Sequence, residues 1–248
     1  MRNTVSHSRT RTDPDGLIPP HGGYRHLKTF QLTTLIYDIT VLFCGKLIDP
    51  RSRTHDQMIQ AARSGRQNIA EGSMDSGTSR KSEMKLTGIA KGSLVELKLD
   101  FEDFLRQRGL PMWPPDHPAL LRLKAMRCST LEEFRAWVAD DVRRAAKEEK
   151  TTDGETQTHT DAHGLTQTGT AQANGVRVGQ CQSVSSKDLP AVLAANGALT
   201  LLNLCIYLLD KQLKAQAAAF EKEGGFTERL YRRRSERRNQ ESNRRLPA

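Results

Sequence analysis

From Val192 to Leu213 the chain steps through Val192, Ala195, Leu199, Leu202, Ile206, Leu209 and Leu213, separated by three and four residues over three heptads. With about 3.6 residues per turn, that spacing places all seven side chains on one stripe of an α-helix. Such a stripe is the seam of a helix packed at a shallow angle in a bundle. Leu193, Leu201, Leu204 and Leu208 widen the apolar face, so the helix is expected to touch more than one neighbour. Gly224-Gly225 supplies a left-handed stop. Thr200 and Asn203 interrupt the greasiest run, Leu199 to Leu209, which falls short of the roughly 20 apolar residues of a membrane span. A soluble protein with no membrane partner is expected.

Three further helices lie upstream. The first starts near Tyr24 or Arg25, carries Leu32, Leu35, Ile36, Ile39, Leu42 and Phe43 on one stripe, and stops at Asp49-Pro50. The second runs from a Thr54 cap to about Ser73, with the small inward set Met58, Ala62, Gly65 and Ile69. The third opens at Ser79 or Ser82, reaches Gln107, and presents Leu86, Ala90, Ser93, Leu94, Leu97, Phe101 and Phe104. Gly109-Leu110-Pro111 ends it. No stretch alternates apolar and polar residues as a half-buried strand does. The predicted fold is therefore all-α: an antiparallel four-helix bundle with a long insertion between helices three and four.

The expected organisation is a disordered arm over 1–23, bundle helices over 24–109 and a helical insertion over 110–150. A Thr/Gly/Gln-rich flexible linker over 151–187, the last bundle helix over 188–225 and an Arg-rich tail over 226–248 complete it. The insertion contains two amphipathic segments, Ala119 to Met126 and Leu131 to Lys147. The linker lacks apolar periodicity and cannot offset its ordering entropy. Cys44 and Cys205 fall in apolar helical patterns, and no CxxC pair joins them to Cys128 or Cys181, which points to buried reduced thiols and a cytoplasmic setting. The first residues lack the apolar stretch of a signal peptide.

The net charge of +9 is unevenly placed. Residues 1–28 hold five Lys/Arg and two acids, and residues 226–248 hold eight Arg and three acids, so the ends account for +3 and +5. Inside the body, residues 51–98 hold nine bases and five acids. Clustered basicity favours an anionic partner, commonly nucleic acid. The candidate binding residues are Arg63, Arg66, Arg80, Lys81, Lys85 and Lys91 around the helix 2–3 turn, with Arg229, Arg232, Arg233, Arg234, Arg237 and Arg238 in the tail beside Tyr231. Guanidinium groups pair phosphates and stack on bases, which suits RNA or single strands.

Catalytic readings are disfavoured. Gly72-Ser73 and Gly92-Ser93 have no Gly-Lys-Ser/Thr and no preceding strand, so they are expected to face inward and let neighbouring helices or subunits approach, instead of forming a phosphate loop. Glu71 and Glu96 lack the cleft and positioned partner of an acid–base pair; a salt bridge or cap is expected, for example with Arg66 or Arg80 on adjoining turns or subunits. His159 and His163 have metal-ligand spacing but sit in the linker with no third ligand, so neither a metal nor another cofactor is expected. Asn196 is expected to be a buried polar residue that fixes register. A hydrolase would need a carboxylate–His constellation that the sequence does not offer.

Three segments carry a resemblance: Asn68-Ile69-Ala70-Glu71-Gly72-Ser73, Ile89-Ala90-Lys91-Gly92-Ser93-Leu94-Val95-Glu96-Leu97, and Ala194-Ala195-Asn196 with the leucine seam ending at Glu223-Gly224-Gly225. Together they resemble the four-helix-bundle family whose founding members are encoded in intervening sequences of bacterial large-subunit ribosomal RNA genes. The long insertion and Arg-rich tail resemble that family's longer form, with a suffix on the final helix. The resemblance implies a non-enzymatic ring homo-oligomer, typically a pentamer. It also implies kinship with the accessory protein of diversity-generating retroelements, which partners a reverse transcriptase and binds nucleic acid through a basic surface. The sequence therefore leads to a nucleic-acid-binding accessory protein. The alternative is a protein-interaction scaffold or adaptor for a neighbouring enzyme such as a reverse transcriptase.

Overall fold

The structure, a computed structural model, describes residue 18 and residues 21–155 and 184–244. Most of the expected arm and linker, with His159 and His163, lies outside these residues. The described chain is all-helical, with no strand among its residues. A short 3-10 turn, Tyr24–His26, leads into α1 (Lys28–Leu47), α2 (Arg53–Asp75), α3 (Arg80–Gln107), α4 (Pro118–Met126), α5 (Leu131–Glu155), α6 (Leu189–Glu223) and α7 (Phe226–Arg244). Two elements go further than the sequence suggested. Helix α5 continues five residues beyond 150, carried forward by the good helix formers of Lys147-Glu148-Glu149-Lys150. The Arg-rich tail is a helix up to Arg244. Its start is fixed by Glu228, whose Oε2 accepts from the Gly225 N–H at 2.9 Å, half of a capping box.

Local chemistry explains the other boundaries. Ser52, not Thr54, caps α2: its hydroxyl oxygen accepts from the Thr54 N–H at 3.3 Å. Ser79 caps α3 through the Ser82 N–H at 3.1 Å. Gly109 and Gly224 take left-handed φ values of 62° and 70° just past α3 and α6, where a side chain would be strained.

The chain divides into two compact units, Met1–Asp100 with Ala198–Ala248, and Phe101–Gly197. In the first, the expected stripes on α1, α2 and α3 are buried at Leu35, Ile36, Ile39, Phe43, Met58, Ala62, Ile69, Ala90, Leu94 and Leu97. Leu32, Leu42 and Leu86 are only half-buried. Gly65 lets α2 approach α3 closely, since a Cβ there would stand 2.7 Å from Leu94 Cδ2. Gly72 serves likewise, 3.3 Å from Leu86 Cβ. Polar contacts tie α6 to its neighbours: Lys91 pairs with Asp210 at 2.5 Å, and Thr29 donates to Gln212 Oε1 at 3.0 Å. Burial pushes the Cys44 thiol up to about 11, Asp100 reinforcing it, and burial alone pushes Cys205 to about 12, so both stay protonated.

The second unit is built around aromatic rings. Trp137 donates its indole N–H to Ala119 O at 3.1 Å and packs at 5.3 Å from Phe134. Asn196, 2% exposed, accepts from the Trp113 N–H at 2.8 Å and donates to Pro111 O and Val192 O. It therefore anchors the loop after α3, where the sequence had suggested a register-fixing role. Asp141, buried, pairs with Arg122 at 2.6 Å.

Among the described residues, two helices are long and apolar enough to cross a membrane, which the sequence had not suggested. They are Lys28–Leu47 and a window on the stretch from Leu189, with 39% and 61% of each window buried inside the fold. A core helix also presents that larger share.

Gly197 tests the packing most sharply, because a Cβ there would lie 2.7 to 2.9 Å from the Trp137 and Phe134 rings. The helix-propensity gain of alanine, about 1 kcal/mol, is outweighed by overpacking against rigid rings. Gly197→Ala should lower stability by about 1–3 kcal/mol in denaturant melts; an unchanged or raised midpoint would contradict this packing.

Candidate functional site

The twelve candidate basic residues separate into three sets. Four are engaged in holding the fold. Arg80 donates to Ala219 O at 3.0 Å and pairs with Glu223 at 2.5 Å, closing the last turn of α6. Lys91 is held by Asp210, Arg66 lies over the Tyr37 ring at 4.3 Å, and Arg229 donates to Gly77 O at 3.4 Å. Arg233 is half-buried. The remaining seven, Arg63, Lys81, Lys85, Arg232, Arg234, Arg237 and Arg238, are exposed. The Arg229 contact matters most for the geometry, because it joins the root of α7 to the α2–α3 turn within one compact unit. Two clusters far apart in sequence thus share an anchor. Tyr231, 68% exposed, lies beside Arg232 in a shallow groove along α7.

The family-like segments divide differently from expectation. Gly72 is buried against α3, whereas Gly92 is exposed with nothing within 4 Å of a Cβ. Ser93 meets Ser64 at 3.0 Å. Glu71 and Glu96 are both exposed, and Arg80 pairs with Glu223 in their place. Helix α3 in fact carries two heptad stripes. The inner one is the expected core; the outer one runs Lys81, Lys85, Gly88, Gly92, Val95, Leu99. Val95 and Leu99 are 37% and 55% exposed, and Gly88 also has nothing within 4 Å of a Cβ. Periodicity alone could not say which stripe faced inward.

A second feature escaped the sequence reading. A cleft of about 580 Å³ in the first unit is lined by the start of α1, the α2–α3 turn and the later half of α6. Gln216 falls at the next seam position after Leu213, yet it is polar. Its Nε2 donates to Glu83 Oε1 at 2.9 Å and to Thr87 Oγ1 at 3.3 Å. Burial pushes the Glu83 carboxyl above its usual range, against the opposing pull of Gln216 and Arg80. Among the described residues, no group of three His, Cys, Asp or Glu is placed to hold a metal ion.

No protein-family model, curated protein or solved structure matches this chain.

Glu83 gives a pH test. Its folded pKa lies above the unfolded value of about 4.5, so its favourable contribution is fully present below that value and is lost as pH rises through the folded pKa. Glu83→Gln keeps the contact to Gln216 without the charge. The melting temperature of the variant relative to the parent should therefore increase from pH 4 to pH 7; a constant difference would mean the carboxyl is not strained by burial.

Proposed function

We propose that this chain is a non-catalytic, cytoplasmic, homo-oligomeric accessory protein that binds RNA or single-stranded nucleic acid through exposed cations of α2, α3 and α7. The observation that carries the reading is the set of seven exposed Lys and Arg side chains, among which Arg238 donates to Ser235 Oγ of its own helix at 3.4 Å, grouped through the Arg229 contact at the α2–α3 turn. Contacts among α1, α2, α3 and α6 support an antiparallel four-helix bundle as the scaffold. That scaffold agrees with the resemblance to the bacterial intervening-sequence family.

The outer stripe of α3 supports self-association, and a ring such as a pentamer is the assembly that the resemblance suggests. Open glycines at 88 and 92 allow close helix approach, and Val95 and Leu99 supply apolar surface. A heterologous contact of this kind closes into a ring when its rotation permits. The same stripe also favours the second reading, an adaptor that docks a neighbouring enzyme such as a reverse transcriptase without touching nucleic acid itself.

Two measurements check these readings. Replacing Arg232, Arg234, Arg237 and Arg238 together by Gln removes four exposed charges from α7. Each neutralised phosphate contributes about 0.7 to the slope of log affinity against log salt for single strands, so the slope should flatten by up to about 3 units. Equal affinity and slope for parent and variant would leave α7 without a role in binding. For assembly, Val95→Glu with Leu99→Glu should reduce a multiple of the 27.8 kDa chain to the single chain in light scattering. A parent that is already monomeric at tens of micromolar, roughly the range where weak oligomers form, would refute the ring.

A further inference from the structure

The polar cleft has a donor and acceptor pattern of its own. Thr87 donates its hydroxyl proton to Glu83 O at 2.9 Å, so its oxygen can only accept from Gln216. Together with Glu83 Oε1, it fixes the Gln216 amide with its nitrogen toward α3. Gln216 Oε1 is then buried with no donor among the described residues. On the next turn back, Gln212 Oε1 already accepts from Thr29, which leaves the Gln212 amide nitrogen as the donor of that side chain. Lys28, exposed, and Arg80 add two cations to the same walls. Gln216 stands at a seam position that an apolar side chain would fill, and its buried Oε1 is left without a donor by the contacts that hold its amide nitrogen. The volume falls within the range of small-ligand sites, roughly 300–1,000 Å³.

We propose that this cleft binds a guanine nucleotide, with the base edge against Glu83 and Gln212 and the phosphate toward Lys28. A carboxylate accepts two parallel donors. Guanine alone among the four bases of RNA offers adjacent ring N–H and amino donors on its pairing edge, and its O6 accepts from an amide such as that of Gln212. Adenine and cytosine place an acceptor nitrogen beside the amino group, and uracil sets its one N–H between two acceptors. The lysine supplies charge for the phosphate. A free mononucleotide and a guanine of a strand drawn out of its stack present the same edge. This site is separate from the α7 surface and does not depend on it.

Titration calorimetry on the full chain with GMP, AMP, guanosine, inorganic phosphate and short RNAs containing only G or only A tests the assignment. GMP, the G strand or both should bind, with AMP and the A strand at least about 10-fold weaker, as one well-made bidentate pair discriminates. Binding by the strand alone would identify the strand as the source. Glu83→Gln should weaken guanine binding by about 10-fold or more while the protein stays folded by circular dichroism. Lys28→Ala, at an exposed position, should weaken GMP but leave guanosine unchanged. The quadruple arginine variant should bind GMP as the parent does, so loss of strand binding through α7 is distinguishable from failure of the cleft. Equal affinity for GMP and AMP, phosphate binding as tightly as GMP, no guanine binding at all, or an unaffected Glu83→Gln variant would overturn the proposal.

Discussion

Between Val192 and Leu209, α6 buries Val192, Leu193, Ala195, Ala198, Leu199, Leu201, Leu202, Cys205 and Leu209, and it supplies core residues to each of the two compact units. At about 1.5–3 kcal/mol for each large side chain removed from water, this burial is the dominant favourable term that a helix of this kind provides. The polar anchors follow from it. Lys91 reaches Asp210, Arg80 closes the end of α6 through Ala219 and Glu223, and Thr29 meets Gln212. Asn196, the one polar side chain deep in the upper part of the helix, is satisfied by three backbone groups in the second unit.

Those anchors determine which charges remain for a partner. A basic residue bound to a carboxylate or carbonyl inside the fold has little freedom to neutralise a phosphate as well. Arg80 has a side chain only 19% exposed and two partners on α6, so it belongs to the scaffold although its position in sequence matched its neighbours Lys81 and Lys85. The partner-binding capacity proposed for this chain therefore rests on fewer residues than net charge suggests, and they are grouped on α2–α3 and α7.

The sequence conveyed the helices well because their apolar periodicity is a direct record of burial. The second helix is the clearest case: Met58, Ala62, Gly65 and Ile69 are all buried as their spacing implied. The direction of Gly92 was not legible, since α3 satisfies heptad spacing on two faces and only tertiary contact distinguishes them. The helical tail was hidden for a related reason: seven of its nineteen residues are Arg, with too few apolar positions to display a period. Its order comes from the Glu228 cap and the half-buried pair Phe226 and Leu230. The polar cleft was missed because Thr29, Glu83, Gln212 and Gln216 come from three helices, and no local pattern joins them.

In the proposed function, exposed cations, and not those engaged by the fold, meet nucleic acid. Lysine acetylation footprinting with mass spectrometry, with and without a single-stranded RNA, tests it within one helix. Lys81 and Lys85 should be modified readily in the free protein and protected by RNA, while Lys91, held by Asp210, should react slowly in both states. Unchanged modification of Lys81 and Lys85 when RNA is added would contradict the account.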